Sequence, residues 1–259
     1  MRGFTLIELI VVILLMSIVS LAGTEMIRFA TESWQKTNSR QGIGSSARVA
    51  VERISRELRG AAPNSVRVSG SGRCLEFVPV SAAATYLNLP VEASGTAFRS
   101  VAMSPGQAGA SGRVVVYPLA STAVYNTASG VISSPATLSA PDGNNEVTVT
   151  MSSAMQFAGH SPRQRFFLVN DPVSFCVDSG QLFRYQNYGI SATQPSAGTL
   201  PSSMPDRALL ADGIGDSTTP FSLATATLVR NAVVRLDMAF TSSGEQTRVV
   251  HEVQLRNVP

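Results

Sequence analysis

The chain has 259 residues, of which only 14% are Asp, Glu, Lys or Arg, and its formal net charge is +3. So few charges leave Ser, Thr, Ala and Gly to cover the surface, and the scattered basic residues argue against a nucleic-acid binder, which gathers them on one face. Arg28, Arg40, Arg48, Arg53, Arg56 and Arg59 read as the solvated face of a helix.

Roughly the first sixty residues differ in character from the rest, which predicts one long helix and a globular unit of about 200 residues, enough to bury a real core. Met1-Arg2-Gly3 is followed by an apolar run, Phe4–Ala22, broken only by Thr5, Glu8 and two serines. Its nineteen residues are enough to span a bilayer. An ordinary secretory signal has a longer basic region, a shorter apolar run and a small-residue cleavage site after it. Ala22-Gly23-Thr24 is a poor version of that site, so the run is expected to stay in the mature protein. Glu8 is out of place in it, because a carboxylate in a membrane span costs on the order of 2–3 kcal/mol and usually marks a function. The plainer reading is a protonated Glu at the interface of a simple signal anchor.

Gly3-Phe4-Thr5-Leu6-Ile7-Glu8 resembles the class III signal of type IV pilins and type II secretion pseudopilins, and no position departs from that motif. The resemblance implies cleavage by a prepilin peptidase after Gly3 and N-methylation of the new terminus, Phe4. It also gives Glu8, at the fifth mature position, a role in assembly: its carboxylate would pair with the Phe4 amine of a neighbouring subunit. A lone charge in a low dielectric is very costly, so such a pair favours one register in a fibre. The implied partners are the prepilin peptidase/methylase, major and minor pilins through the helix, the pilus assembly platform and the bacterial inner membrane, with no nucleic acid expected. The implied location is a single pass with the globular part in the periplasm, then a pilus at the cell surface. No enzyme activity, cofactor or metal is expected.

Thr24–Leu58 contains no Pro, and Ile27, Trp34, Ile43, Ala47, Val51, Ile54 and Leu58 recur at helical spacing. They predict a helix over Phe4–Leu58, about 80 Å long, ended by Gly60 and Pro63. Arg48, Glu52 and Arg56 stand four apart, as do Arg53 and Glu57, and give ion pairs on the wet side. Gly42 and Gly44 predict a bend or break near Gln41. Trp34 fits a core or a membrane interface. The expected division is a leader over 1–3, a transmembrane and assembly half over 4–24, an amphipathic half over 25–60 and a β-rich globular domain over 61–259. The fold class is α+β, with the long helix packed on an antiparallel sheet.

Beyond Pro63 the expected strands are Ser65–Val68, Cys74–Val80, Val114–Tyr117, Glu146–Met151, Arg165–Val169, Val173–Val177 and Gln181–Tyr185. Two strands of clear alternation close the chain: Val234, Leu236, Met238 and Phe240 in one, Val249, Val253 and Leu255 in the other, with a turn over Thr241–Gln246. Ser100–Gly112, Asn126–Asn145 and Ser191–Pro205 are expected to be loops, for decoration, assembly or binding. Cys74 and Cys176 are free thiols if the unit lies in the cytosol and an oxidised pair if it lies outside.

Several pieces are similar to the MshO-type minor pilins of mannose-sensitive haemagglutinin (MSHA) pilus systems: Ser46–Arg53, Cys74–Pro79, Pro172–Cys176, Gly180–Tyr185 and Arg256–Pro259. PilW-type minor pilins and J-type pseudopilins share the general layout. This resemblance implies that Cys74 and Cys176 are bridged and that the chain serves as a priming or tip subunit. A type II secretion pseudopilin, and a tip adhesin or DNA-uptake subunit, are the alternatives.

No residue pattern points to catalysis. His160 and His251 stand far apart, His160 in a loop and His251 on the alternating face of the last strand. Asp142–Glu146 and Asp212–Asp216 offer oxygen donors that calcium could use, but both fit ordinary turns equally well.

Overall fold

The computed structural model describes residues 5–102, 108–215, 219–225 and 231–255. Helix α1, Leu6–Arg59, runs unbroken for 54 residues, about 81 Å at the α-helical rise. Thr5 caps its start, and at its end the Gly60 amide bonds the carbonyls of Glu57 and Leu58. The expected break near Gln41 is absent. A helical glycine costs only about 1 kcal/mol, whereas burying Ile43 alone returns roughly 1.5–3 kcal/mol, and a continuous helix lets Ile43 and Ala47 join the buried stripe of Ala50, Val51, Ile54 and Leu58.

Among the described residues fourteen strands follow α1. They are β1 Arg67–Val68, β2 Cys74–Phe77, β3 Val80–Thr85, β4 Gly95–Val101, β5 Ser111–Val115, β6 Ile132–Leu138 and β7 Glu146–Met155. The remainder are β8 Arg165–Val169, β9 Val173–Asp178, β10 Gln181–Tyr185, β11 Arg207–Ala211, β12 Phe221–Ala224, β13 Val233–Ser242 and β14 Glu245–Gln254. All pairings are antiparallel, which gives an α+β, type IV pilin-like architecture.

Two sheets share the core beneath α1. One has the order β1-β2-β9-β10-β11, the other β12-β13-β14. Leu75, Phe77, Phe175, Leu236, Met238 and Phe240 pack with the buried stripe of the helix. Arg184 of β10 donates to both carboxylate oxygens of Glu57 on α1, at 3.1 and 3.0 Å, and Arg53 reaches the same group at 3.0 Å. The β9–β10 and β13–β14 hairpins turn on two residues each, Ser179-Gly180 and Ser243-Gly244, all with positive φ. That is the turn geometry whose twist matches the strands it joins.

The third sheet has the order β3-β8-β5-β6-β7-β4. A bridge between Tyr86 and Ser100 and the bond from the Leu87 amide to the Arg99 carbonyl draw its two edges together, so the sheet curls toward a barrel. Phe98 meets Phe157 and Phe166 edge-on inside it. This sheet is spliced between two neighbouring strands: the chain leaves the first sheet after Phe77 and re-enters it opposite, at Val173.

Several strands differ from expectation. The run Cys74–Val80 is two strands, parted where Pro79 bridges to Ala61 and β3 leaves for the other sheet. The expected loop Asn126–Asn145 contains β6, and β4 and β5 reach into Ser100–Gly112. These segments are Ser-, Ala- and Thr-rich and carry a weak strand signal by themselves, but in the curled sheet β6 has a partner on each side. β3, β11 and β12 also went unforeseen. The last turn is shorter than expected, because Ser242 pairs with Glu245.

Candidate functional site

From Leu6 to Asn38 every residue of the helix is exposed, over roughly 50 Å, and the first ties to the rest of the chain come at the half-buried Ser39 and at Arg40, which pairs with Glu245. Leu6, Ile7, Met16 and Leu21 are 77, 71, 65 and 70% exposed. One helix, Leu6–Arg59, is long and apolar enough to cross a membrane. An all-round apolar helix of this kind is stable only inside lipid or among other helices. Trp34, 69% exposed, belongs to this unpartnered length and not to the core.

Glu8 sits at the tip of the projecting segment. One of its oxygens accepts the Thr5 amide and the Thr5 hydroxyl, both at 3.1 Å, and the Thr5 hydroxyl oxygen accepts the Glu8 amide at 3.4 Å. The two residues form a capping box, placing negative charge where the helix dipole is positive. Among the described residues nothing else bonds the carboxylate, and Leu6, Ile7, Leu9 and Ile10 around it are bare. Gly3 and Phe4, the expected cleavage and methylation positions, lie outside the described residues, as does the Arg256–Pro259 segment.

Cys74 and Cys176 face each other across β2 and β9 and are bridged, closing a separation of 102 residues. In the chain-entropy model a loop of that size stabilises by about 4.7 kcal/mol.

Beside the bridge lies a cluster that the sequence reading missed. Glu76 has no solvent exposure, yet it carries a charge partner: Arg67 donates to it at 2.6 Å. The Tyr188 hydroxyl donates to its other oxygen at 3.1 Å and lies 2.7 Å from the Ser174 hydroxyl. Arg67 also stacks on the Tyr125 ring, 3.5 Å from its centroid, and donates to the carbonyls of Ser191 and Ala192. Burial is the main influence on the Glu76 carboxyl and raises its pKa above the ordinary 4.5, while Arg67 pulls it back down. Burial first, and then the Glu76 charge, push both the Tyr125 and Tyr188 hydroxyls far up. The cluster clamps the loop after β10 onto the sheet face turned away from α1. It holds a loop, and although Arg67 also borders a shallow open cleft with Val66 and Phe221, the Glu76 carboxylate is fully buried, so the cluster reads as structural. A Glu at the centre of the apolar run Cys74-Leu75-Glu76-Phe77-Val78 was the available signal.

The remaining sequence candidates are dispersed. His160 lies 3.3 Å from the Tyr86 hydroxyl in a loop, and His251 is half-buried on the helix-facing side of β14. Asp142 takes the amides of Asn144 and Glu146, both at 2.9 Å, and Arg99 at 3.3 Å, so its carboxylate already serves a turn and a cation. Asp212 accepts the Gly213 amide, and Asp216 lies outside the described residues. Among the described residues no three His, Cys, Asp or Glu side chains gather as metal ligands.

The model of the prokaryotic N-terminal methylation motif matches residues 1–24. In this motif, and in its α+β architecture, the chain is similar to type IV pilins. The motif implies a pilin- or pseudopilin-type role in pilus or secretion-fibre assembly, processing by a prepilin peptidase, and assembly with other pilins. Proteins that carry it are structural subunits rather than enzymes. Together with the bare apolar helix it points to membrane anchoring. No curated protein and no solved structure matches the chain.

Proposed function

We propose that the chain is a minor pilin of an MSHA-type type IV pilus. It is cleaved after Gly3, N-methylated at Phe4, held in the inner membrane by residues 4–24 and built into the fibre as a priming or tip subunit. The observation that carries this is the bare apolar helix with Glu8 at its tip, five residues past the expected cut. Among the described residues Glu8 has only its own capping box. In a fibre the Phe4 amine of a neighbour would supply a full countercharge, which a carboxylate in low dielectric requires. The curled third sheet, an addition to the helix-and-sheet core, supports a place at the end of a fibre, where a subunit has no neighbour above it.

Mass spectrometry of the mature protein is the direct test: the expected terminus is a methylated Phe4. A protein that retains Met1–Gly3, or that has lost Phe4–Ala22, would refute the reading. Glu8→Ala is expected to leave cleavage intact and to lower incorporation into sheared pili. Normal incorporation of Glu8→Ala would remove the role assigned to the carboxylate.

A further inference from the structure

The edge of β14 is unlike the other sheet edges among the described residues. β1 has two residues and β12 four, β11 pairs through a register shift, and β3 and β4 are shifted in register and bridged to each other. β14 is ten residues long, contains no Pro and pairs with β13 without a shift. Natural sheets blunt or cover such edges, because a long regular edge is a template for another strand.

The register shows which groups are free. The two-residue turn makes Ser242 and Glu245 a mutually bonded pair, and alternation then turns the amides and carbonyls of Gln246, Arg248, Val250 and Glu252 away from β13. The bond from the Leu255 amide to the Ala232 carbonyl keeps the same parity. No other strand pairs with β14 among the described residues.

Alongside this edge runs a groove of about 650 Å³ between α1 and β14. Arg48, Arg56 and Arg59 line its helix wall, all three exposed, with the exposed Glu52 the single carboxylate among the groove's lining residues. The expected pairing of Arg48 and Arg56 with Glu52 is absent, and among the described residues none of the three arginines has a carboxylate at ion-pair distance, whereas Arg40 and Arg53 have found Glu245 and Glu57. Val249 and His251 form the strand wall, with Val250 at the lip, 48% exposed.

We propose that β14 and this groove receive an extended, acidic segment of another protein chain, which adds as a fourth strand to β12-β13-β14 and turns its carboxylates toward Arg48, Arg56 and Arg59. Backbone pairing supplies affinity and the alternate side chains supply choice, as in other strand additions. A second copy of this chain is a poor occupant, because edge-to-edge pairing would bring two arginine rows together. The proposal goes beyond the assembly reading, and its test does not depend on fibre formation.

The test uses the full chain in non-ionic detergent and a fluorescent peptide that alternates Glu with Thr over ten residues, the length of β14. The expected result is saturable binding that weakens as salt rises, with slowed amide exchange at Gln246, Arg248, Val250 and Glu252. The same peptide with Lys for Glu, or with a central Pro, should not bind. The Arg48→Glu/Arg56→Glu pair should weaken binding by roughly tenfold or more. Val250→Pro removes an outward amide without breaking a bond to β13, so it should abolish binding with little change in melting temperature. If Val250→Pro fails to fold, the exchange pattern and the arginine pair still decide. Absence of binding at millimolar peptide, equal binding of the Pro peptide, or a dimer formed through β14 in sedimentation would each overturn the proposal. Any of these would leave a methylated Phe4 and the Glu8 phenotype untouched.

Discussion

Glu76 and Arg67 were both taken out of water to be joined, at 2.6 Å. A buried pair of this kind is not by itself a large source of stability, but removing one member strands the other. Glu76→Ala is therefore expected to cost about 3–5 kcal/mol, whereas Arg67→Met combined with Glu76→Leu should be neutral or stabilising by about 1–4 kcal/mol. Urea unfolding of the oxidised protein measures both. The pH dependence has a definite sign. Burial raises the Glu76 pKa above 4.5, so the folded state holds this proton more tightly than the unfolded chain does. The stability gained from that proton is complete below 4.5 and is lost as pH rises through the raised folded value. The stability of the wild type minus that of Glu76→Gln should thus fall through this window and then level off. A difference that grows with rising pH would contradict the assignment. Asp237 carries the opposite sign: the hydrogen bond from Arg248 leads in holding its pKa down, so its contribution is lost as pH falls.

At the level of elements, the curled sheet leaves no room for a side chain where β5 passes β8. A Cβ on Gly112 in β5 would lie 2.6 Å from the Val169 carbonyl oxygen of β8, so Gly112→Ala must push the two strands apart. The expected loss is about 1–3 kcal/mol, of the order found for overpacking, and thermal melting followed by circular dichroism would measure it. Gly42→Ala should do the reverse. Nothing lies within 4 Å of its added carbon, and the residue is already helical, so the helix should gain about 1 kcal/mol. These two glycines also show what sequence patterning could and could not convey. The helix and β13–β14 were legible because each buries one face, which writes a period of 3.6 or of 2 into the residues. β3 and β6 were not, since Val80-Ser81-Ala82-Ala83-Ala84-Thr85 and Ile132-Ser133-Ser134-Pro135-Ala136-Thr137-Leu138 draw their strand character from neighbours distant in sequence. Of the proposed assembly site, Glu8 and the apolar run were plain, because a charge in oil is conspicuous. The same signal in miniature, a Glu within Cys74–Val78, passed as an ordinary strand position. A register pairing it with Arg67 cannot be read locally.

For the whole molecule, the point where the curled sheet joins the rest predicts how separable the two are. Phe77 and Val173 are register partners, so everything between them leaves and re-enters the first sheet at one place. The bond from the Val177 amide to the Arg73 carbonyl fixes the parity of β2 and β9: Phe77 and Val173 are a mutually bonded pair, which a two-residue turn could close. The chain would then run directly from β2 to β9 as a hairpin. The interior of the curled sheet, built on Phe98, Phe166 and Leu168, shares no residue with the core beneath α1. A small third cluster joins them, and from the helix-and-sheet side it takes Ala62, Val78 and the partly buried Ile190. Replacing residues 78–172 by Asn-Gly, with Ala62→Ser to wet the new surface, should therefore leave α1, the Cys74–Cys176 bridge and the Arg184–Glu57 tie in place. Arg67 would lose the Tyr125 ring but keep Glu76. The expected outcome is a protein that still forms its disulfide and unfolds in one cooperative transition with its helical signal intact. Loss of helical signal or of the bridge would mean that the two cores fold only together. Shorter deletions between Ser100 and Asn145 are the wrong instrument for asking whether this region binds a surface, because they remove β5 and β6 from the middle of the sheet, and any lost adhesion would then report unfolding. Excising the whole insertion at its single point of entry separates the two causes, since the remaining subunit can be assayed for incorporation and for adhesion independently.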